Sequence, residues 1–479
     1  MPHVHELPAS LHRIHIMGIA GTAMGALAGM LVDAGYHVTG SDKAVYPPMS
    51  DYLDQLGIQV MEGFVASNLE AAKPDLVVVG NVIRAVYEEA EALVASDIPY
   101  CSFPELLGLL FLRDAHSVVI AGTHGKTTTT AITAWLMEAA GHGPGFLIGG
   151  VVKNFDRTAR AGDGKVFVIE GDEYDTAFFD KGPKFLHYRA KTAVLTSVEF
   201  DHADIYRDLE HVKESFTKLM TTMPADGCVI VRGDDPVAVS VAQHATCAVQ
   251  TYGPGQEWDG RLDGVDTHAG TMTFTVLRHG EPVGTYTSTL VGTHNLYNQV
   301  AATAAAISAG AEPAQLTEGF PTFQGIKRRQ EVLAEPGGVT IIDDFAHHPT
   351  AVKLTIEALR QRFGQRRLWI IWEPRSATSR RNTFQDQYAA AFDGADLVVV
   401  AQPYDSSGIP EGDRLDVQKL WMDMQVRGLD VICLPDAHTI ARTVAARCHP
   451  YDVVAVFSNG GFDGLHGKLV SMLEQRFTG

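Results

Sequence analysis

The sequence predicts an α/β protein of three doubly wound units, and three observations carry that prediction. Short apolar runs recur along the chain at the length of buried strands. Each run is followed by a stretch of helical periodicity, the alternation that builds a parallel sheet. Glycine-rich turns stand between strand and helix at 18–25 (GIAGTAMG) and 122–129 (GTHGKTTT). A length of 479 residues, at ~150 per domain, fits about three such units.

The first unit, residues 1–115, opens with a strand at 13–17, passes the first glycine turn and enters a helix over 22–33. Gly35 stands where a helix C-cap belongs, and a strand over 37–40 ends in Ser41-Asp42. The Pro47-Pro48 pair punctuates the unit, and DLVVVG at 75–80 has the unbroken apolar run of a strand buried on both faces. The second unit, residues 116–325, starts with the strand SVVIAG at 117–122 and a helix over about 128–140, followed by strands at 166–169, 193–196 and 228–231. Residues 267–290 alternate polar and apolar side chains around central turn residues, which predicts a β-hairpin. The helix NLYNQVAATAAAISAG after His294 ends at Gly310 and closes the unit. In the third unit, residues 326–479, strands at 339–343, 368–372, 396–400, 431–434 and 453–457 alternate with helices, again a doubly wound sheet.

Composition excludes several functions. The 38 basic and 57 acidic residues leave a net charge of −19, a surface that repels nucleic acid and anionic lipid. Hydrophobic residues make up 46%, enough for sizeable cores. Cys101, Cys228, Cys247, Cys433 and Cys448 are scattered without a CxxC pair, against a disulfide scaffold or thiolate zinc site. That usage fits a reducing cytoplasm, where the protein is expected. No signal-peptide pattern opens the chain, and the longest apolar stretch, 106–112, is too short for membrane insertion. Nothing in the pattern sets an oligomeric state.

The strongest chemical signal is Gly122-Thr123-His124-Gly125-Lys126-Thr127-Thr128, between a strand and a helix. A phosphate chain needs backbone N–H groups at a helix N-terminus, a lysine for the β and γ phosphates and a hydroxyl for Mg²⁺. Lys126 and Thr127 supply the last two, although GxxGKT is shorter than the usual phosphate-loop spacing. A polar turn capping a helix is the bland reading. In the first loop Gly18, Ala20, Gly21 and Thr22 could cradle another anion, and Asp42 could accept from a ribose hydroxyl. A tight turn without ligand competes there.

Two acidic clusters, EGDEYD at 170–175 and EFDHAD at 199–204, follow strands, so they sit at the carboxyl ends where parallel sheets bind ligands. Their oxygens plus an imidazole suit Mg²⁺, and solvated loops are the alternative. In the third unit DDFAHHP at 343–349, EPRS at 373–376 and SNGGF at 458–462 also follow strands, and Lys327-Arg328-Arg329 lies at the unit junction. Arginine clusters on so acidic a protein gather anionic substrates.

Together these residues resemble the ATP-dependent Mur ligases over essentially the whole chain. HIMGIAGTAMGALA, AGTHGKTTT, EGDEYD, EFDHAD, GTHNLYN, FQGIKRRQE and DDFAHHPT stand in that family's order. GSDKAVYPPMS, GGVVKNF, EYDTAFFDKGPKF, EPRS and SNGGFDGLH are most similar to the branch that joins UDP-N-acetylmuramate to the murein tripeptide L-alanyl-γ-D-glutamyl-meso-diaminopimelate in cell-wall recycling. The branch that adds L-alanine typically has DDYGHHP and a His-Arg-Tyr element where this chain has Phe345-Ala346 and Arg375-Ser376-Ala377.

The resemblance implies a Rossmann-like N-terminal UDP-sugar domain, a P-loop-type central ATPase domain and a Rossmann-like C-terminal domain for the amine. It implies ATP and Mg²⁺, with Lys126 and Thr127 on phosphates and metal, Glu170 and His202 on a second Mg²⁺, and His294, Asn295 and Asn298 by the adenine. Arg328 or Arg329 would approach the phosphates, while His347, His348, Arg375 and Ser376 would serve the amine side. In the first domain, Ala20 replaces a Gly or Cys common in the family, and only Arg84 remains of its polar Arg/Asn-Pro stretch. No carbamylated lysine is assigned, because the register falls near Phe216, between Lys213 and Lys218. The implied reaction phosphorylates the muramyl carboxylate and lets the tripeptide amine displace phosphate. An L-alanine ligase, a nucleotide-sugar dehydrogenase and a nucleotide-sensing regulator are the rival readings.

Overall fold

The computed structural model describes residues 3–4, 6–47 and 49–478, so Pro48 of the Pro47-Pro48 pair lies outside the described residues. The chain divides into two compact units: residues 1–198, 210–259 and 300–319 form one, and residues 199–209, 260–299 and 320–479 form the other.

The first unit holds two larger sheets beside a short antiparallel ribbon of Asp175–Ala177 and Asp180–Pro183. One is a five-stranded parallel sheet in the order Gln59–Glu62, His37–Asp42, Arg13–Met17, Leu76–Val79, Tyr100–Ser102. Connections run outward in both directions from Arg13–Met17. Its carboxyl end and that of Leu76–Val79 therefore bound a topological switch point, where such sheets open a crevice. The second sheet runs Ala248–Tyr252, Cys228–Arg232, Thr192–Leu195, His116–Ala121, Val166–Glu170, Gly145–Val152, all parallel, with Arg157–Arg160 antiparallel at the edge. Its switch point lies between His116–Ala121 and Thr192–Leu195.

The expected helix at 22–33 is present as Thr22–Asp33, and the one expected from about 128 begins at Lys126. Gly125, at φ +83°, turns the chain directly into the helix, so Lys126 is its first residue. Strands Gly145–Val152, Gln59–Glu62 and Tyr100–Ser102 were not expected. The first contains three glycines, which carry no side-chain pattern to read, and the other two are four and three residues long.

In the second unit Thr271–Arg278 and Glu281–Ser288 form the expected antiparallel hairpin. A six-stranded sheet follows in the order Glu331–Ala334, Thr340–Asp344, Val453–Phe457, Leu368–Trp372, Leu397–Ala401, Asp430–Leu434, parallel except for the first. Alternation along Leu368–Trp372 sends Ile370 and Trp372 into one buried layer with Tyr388 and Phe392, and Trp369 and Ile371 into the other with Leu465 and Leu469. The carboxyl ends of Thr340–Asp344, Val453–Phe457 and Leu368–Trp372 are thus neighbours. All five cysteines are unpaired. No helix among the described residues is long and apolar enough to cross a membrane.

Candidate active site

In the first unit the loop after His116–Ala121 is drawn tightly against the loop after Thr192–Leu195. Gly122 adopts φ +123°, a conformation L residues rarely take, and a Cβ there would overlap the Thr196 hydroxyl and stand 2.8 Å from Ser197 N and O. The Thr123 N–H donates to the Ser197 carbonyl at 3.0 Å, and the His124 N–H to Ser197 Oγ at 3.0 Å. Gly125 gives the helix Lys126–Ala139 no side-chain cap, which leaves a helix N-terminus suited to an anion.

Lys126 Nζ donates to the Gly122 carbonyl at 2.5 Å and to Glu173 Oε1 at 3.0 Å. Burial pulls the Lys126 pKa down, but Glu173, Glu170 and Asp172 outweigh it and hold it above the ordinary lysine value. Lys126 is therefore a cation at neutral pH. Thr127 Oγ1 donates to Glu170 Oε1 at 2.9 Å, and Glu170 Oε2 accepts the Gly149 N–H at 2.8 Å. Asp172 Oδ2 pairs with Lys184 at 2.6 Å. A hydroxyl beside a carboxylate at a helix N-terminus is a hard oxygen donor set, which fits Mg²⁺.

In the first glycine loop, Asp42 Oδ2 accepts the Ala20 N–H at 2.9 Å and Oδ1 the Lys43 N–H at 2.7 Å. Each Asp42 oxygen thus already carries one backbone bond, and the carboxylate holds the turn closed. The Gly18 N–H donates to the Ser41 carbonyl at 2.8 Å. Gly21 caps the helix at Thr22 without a side-chain bond, leaving a second helix N-terminus open. Arg84 is exposed in the loop after Leu76–Val79, on the other bank of the switch point.

In the second unit His202 sits at φ +53° and its carbonyl accepts the N–H groups of Ile205 and Tyr206. Its neighbour Asp201 is buried, accepts the Thr378 hydroxyl at 2.7 Å and faces His347 Nε2 at 3.7 Å. Burial raises the Asp201 pKa, but His347, His202 and His348 outweigh it and hold the carboxyl far below the usual range. His348 caps the helix Pro349–Phe363 by accepting the Thr350 N–H, and Thr350 Oγ1 donates to Glu199 at 2.8 Å. His294, Asn295 and Asn298 share the first turns of one helix, where Asn298 Nδ2 donates to Asn295 Oδ1 at 3.2 Å.

Arg328 Nη2 donates to the carbonyls of Ser458 at 2.6 Å and Gly460 at 2.8 Å, and both Arg328 and Arg329 lie over the Phe345 ring. Arg375 Nη1 meets Glu373 Oε1 at a long 3.4 Å, while Glu373 Oε2 accepts Ser458 Oγ at 2.5 Å. Ser376 Oγ is used locally, donating to Ser379 Oγ and accepting the Ser379 N–H, both at 2.9 Å.

Ser197, Gly149 and Thr378 are site neighbours that the sequence motifs did not single out. Ser197 alone had a readable signal, since it directly follows a predicted strand; the others meet their partners only through the tertiary fold.

Three models of one family match successive parts of the chain: the Mur ligase family catalytic domain over residues 13–114, the Mur ligase middle domain over 120–306 and the Mur ligase glutamate ligase domain over 328–460. The chain belongs to the Mur ligase family. The three-domain Mur ligase architecture expected from the motifs is borne out, and this Mur ligase is an ATP-dependent amide-forming enzyme. The UDP-N-acetylmuramate–L-alanyl-γ-D-glutamyl-meso-2,6-diaminoheptandioate ligase of Escherichia coli (strain K12) is 40% identical over 472 residues, covering 97% of this chain and 99% of that protein. A UDP-N-acetylmuramate–L-alanine ligase of Salinibacter ruber (strain DSM 13855 / M31) is 35% identical over 404 residues, covering 84% and 82%. The crystal structure of a murein peptide ligase from Psychrobacter arcticus 273-4 matches with a TM-score of 0.67 at 32% identity, covering 97% of this chain and 99% of that one.

Proposed function

We propose that this Mur ligase joins UDP-N-acetylmuramate to L-alanyl-γ-D-glutamyl-meso-diaminopimelate, in the cytoplasm, as a cell-wall recycling step. The observation that carries the reading is the 40% identity, over nearly both full lengths, to a ligase named for that reaction. Likeness to the L-alanine ligase is lower and covers 84% of the chain. In this reading residues 1–115 bind the UDP-sugar, 116–325 the ATP and 326–479 the amine.

A carboxylate acylates poorly, so the γ-phosphoryl of ATP first passes to the muramyl carboxylate, giving an acyl phosphate and ADP. The tripeptide α-amine attacks the acyl carbon, and the tetrahedral intermediate expels phosphate to leave an amide. Lys126 exchanges Glu173 for the β and γ phosphates and offsets their charge as two anions approach. The N-termini of the helices at Thr22 and Lys126 receive the diphosphate and triphosphate. Thr127 and Glu170 are the proposed Mg²⁺ ligands in the first unit, and His202 is a proposed metal ligand in the second. Bound Mg²⁺ would supply charge neutralisation at the phosphates.

His294, Asn295 and Asn298 are proposed for the adenine. Arg328 or Arg329 is proposed for a phosphate; the Arg328 guanidinium donates to the Ser458 and Gly460 carbonyls. An α-amino pKa near 8 leaves enough neutral amine at neutral pH, so His347 or His348 need only accept a proton. Arg375 reads the carboxylate at the end of the diaminopimelate.

The test is ADP release with UDP-N-acetylmuramate, ATP and a panel of amines. Turnover is expected with the tripeptide and not with L-alanine. The reverse preference moves the chain to the L-alanine branch, and silence with every amine refutes the enzyme reading.

A further inference from the structure

Arg375 is held in an unusual way for a half-buried arginine. Its guanidinium carbon lies over the Tyr404 ring, 3.7 Å from the centroid, a close cation–π contact. On another side stands Gly460, where a Cβ would overlap Arg375 Nε, Cδ and Cζ. The plane of the fork is therefore fixed by an aromatic face and a glycine. Its one protein hydrogen bond, to Glu373, is long at 3.4 Å, and Glu373 already accepts the closer Ser458 hydroxyl. Arg375 offers five N–H donors, and among the described residues four of them meet no protein acceptor.

Tyr404 is placed for this contact by the fold. It follows the strand Leu397–Ala401, whose neighbour Leu368–Trp372 leads into Arg375. The Tyr404 N–H donates to the Pro374 carbonyl at 3.0 Å, which stitches the two loops together. Arg380 Nη1 donates to the Tyr404 and Asp405 carbonyls, pinning the loop from behind. Tyr404 is 49% exposed, so core packing does not account for its position.

We infer that Tyr404 is a specificity-determining residue, whose ring aims the free donors of Arg375 at the terminal carboxylate of the amine substrate. The inference rests on the tripeptide reading above and adds to it the group that sets the fork's orientation. A lysine side chain in place of diaminopimelate keeps the terminal amine and lacks only that carboxylate, so it isolates the contact. Tyr404 acts through Arg375 as a positioning residue.

The experiment compares the wild type, Tyr404→Ala and Tyr404→Phe on the diaminopimelate tripeptide and on its L-lysine counterpart, with ATP and UDP-N-acetylmuramate titrated separately. Tyr404→Ala is expected to raise KM for the diaminopimelate peptide about tenfold, with little change in kcat and none in KM for ATP. The lysine peptide should be used as before, so selectivity falls by the same factor. Tyr404→Phe keeps the π face and should retain wild-type selectivity. Equal losses on both peptides, an unchanged selectivity ratio in Tyr404→Ala, or failure of phenylalanine to rescue overturns the inference. A wild type that uses neither peptide overturns the tripeptide reading, and this inference with it; a wild type that uses them leaves the variants to decide.

Discussion

Replacing Lys126 by alanine tests chemistry and stability in one variant. The pair it breaks is nearly dry, with 12% of the Lys126 side chain and 4% of the Glu173 side chain exposed. Removing one partner of such a pair takes its counter-charge from a buried carboxylate and costs about 3–5 kcal/mol. At roughly 2–4 °C per kcal/mol for a domain of this size, Tm should fall by about 6–20 °C. In the wild type the Lys126 pKa is raised, so its stabilisation is complete below the ordinary lysine value and is lost only as pH rises through the folded one. The wild-type contribution is therefore flat from acid to mildly basic pH. Lys126→Ala/Glu173→Gln should recover most of the stability and still release no ADP. Scanning calorimetry at pH 8, with an ADP-release assay on both variants, decides the matter. A single variant that melts with the wild type at pH 8 refutes the buried-pair argument, and a double variant that turns over refutes the role of Lys126 at the phosphates.

Two further outcomes follow from glycines with measurable surroundings. Gly122→Ala should lower Tm by more than Gly141→Ala, because a Cβ added at Gly141 would have nothing within 4 Å while one at Gly122 meets Thr196 and Ser197. The difference is the steric part, about 1–3 kcal/mol, and equal melting of the two variants would mean the loop yields freely. Gly460→Ala should push Arg375 off its seat, raising KM for the tripeptide while ATP kinetics and melting stay near wild type; an unchanged tripeptide KM would show that the guanidinium has room to move.

Strands buried on both faces were legible because they are unbroken apolar runs: LWIIW at 368–372 and LVVVA at 397–401 announce themselves. GFLIGGVV at 145–152 is as much a strand, yet its glycines erase the pattern. The phosphate loop was legible for a different reason, namely that glycine, lysine and hydroxyl occur within one turn of chain. What could not be read were partners far apart in sequence. Nothing in the spacing says that Lys126 meets Glu173, that Ser197 ties down His124, or that Tyr404 lies on Arg375. Asp42 was readable as a carboxylate at a strand end, but not as the group that closes the turn before Thr22. Such contacts depend on strand order, which local pattern does not encode.

The middle position of Val453–Phe457 in its sheet has a consequence for the order in which the protein comes into being. That strand pairs with Thr340–Asp344 on one side and Leu368–Trp372 on the other, although 80 residues lie between it and the nearer one. During synthesis both partners wait with bare edges until the chain has been extended past Phe457. Two unpaired strand edges facing one gap are a standing invitation to wrong pairing. Contacts so distant along the chain also slow the closing step. Ser458 and Gly460, which seat Arg328 and border Arg375, arrive with that strand. The arginine-bearing end of the second unit is thus assembled last, and a nascent chain halted before this strand would carry its arginines without the backbone that orients them.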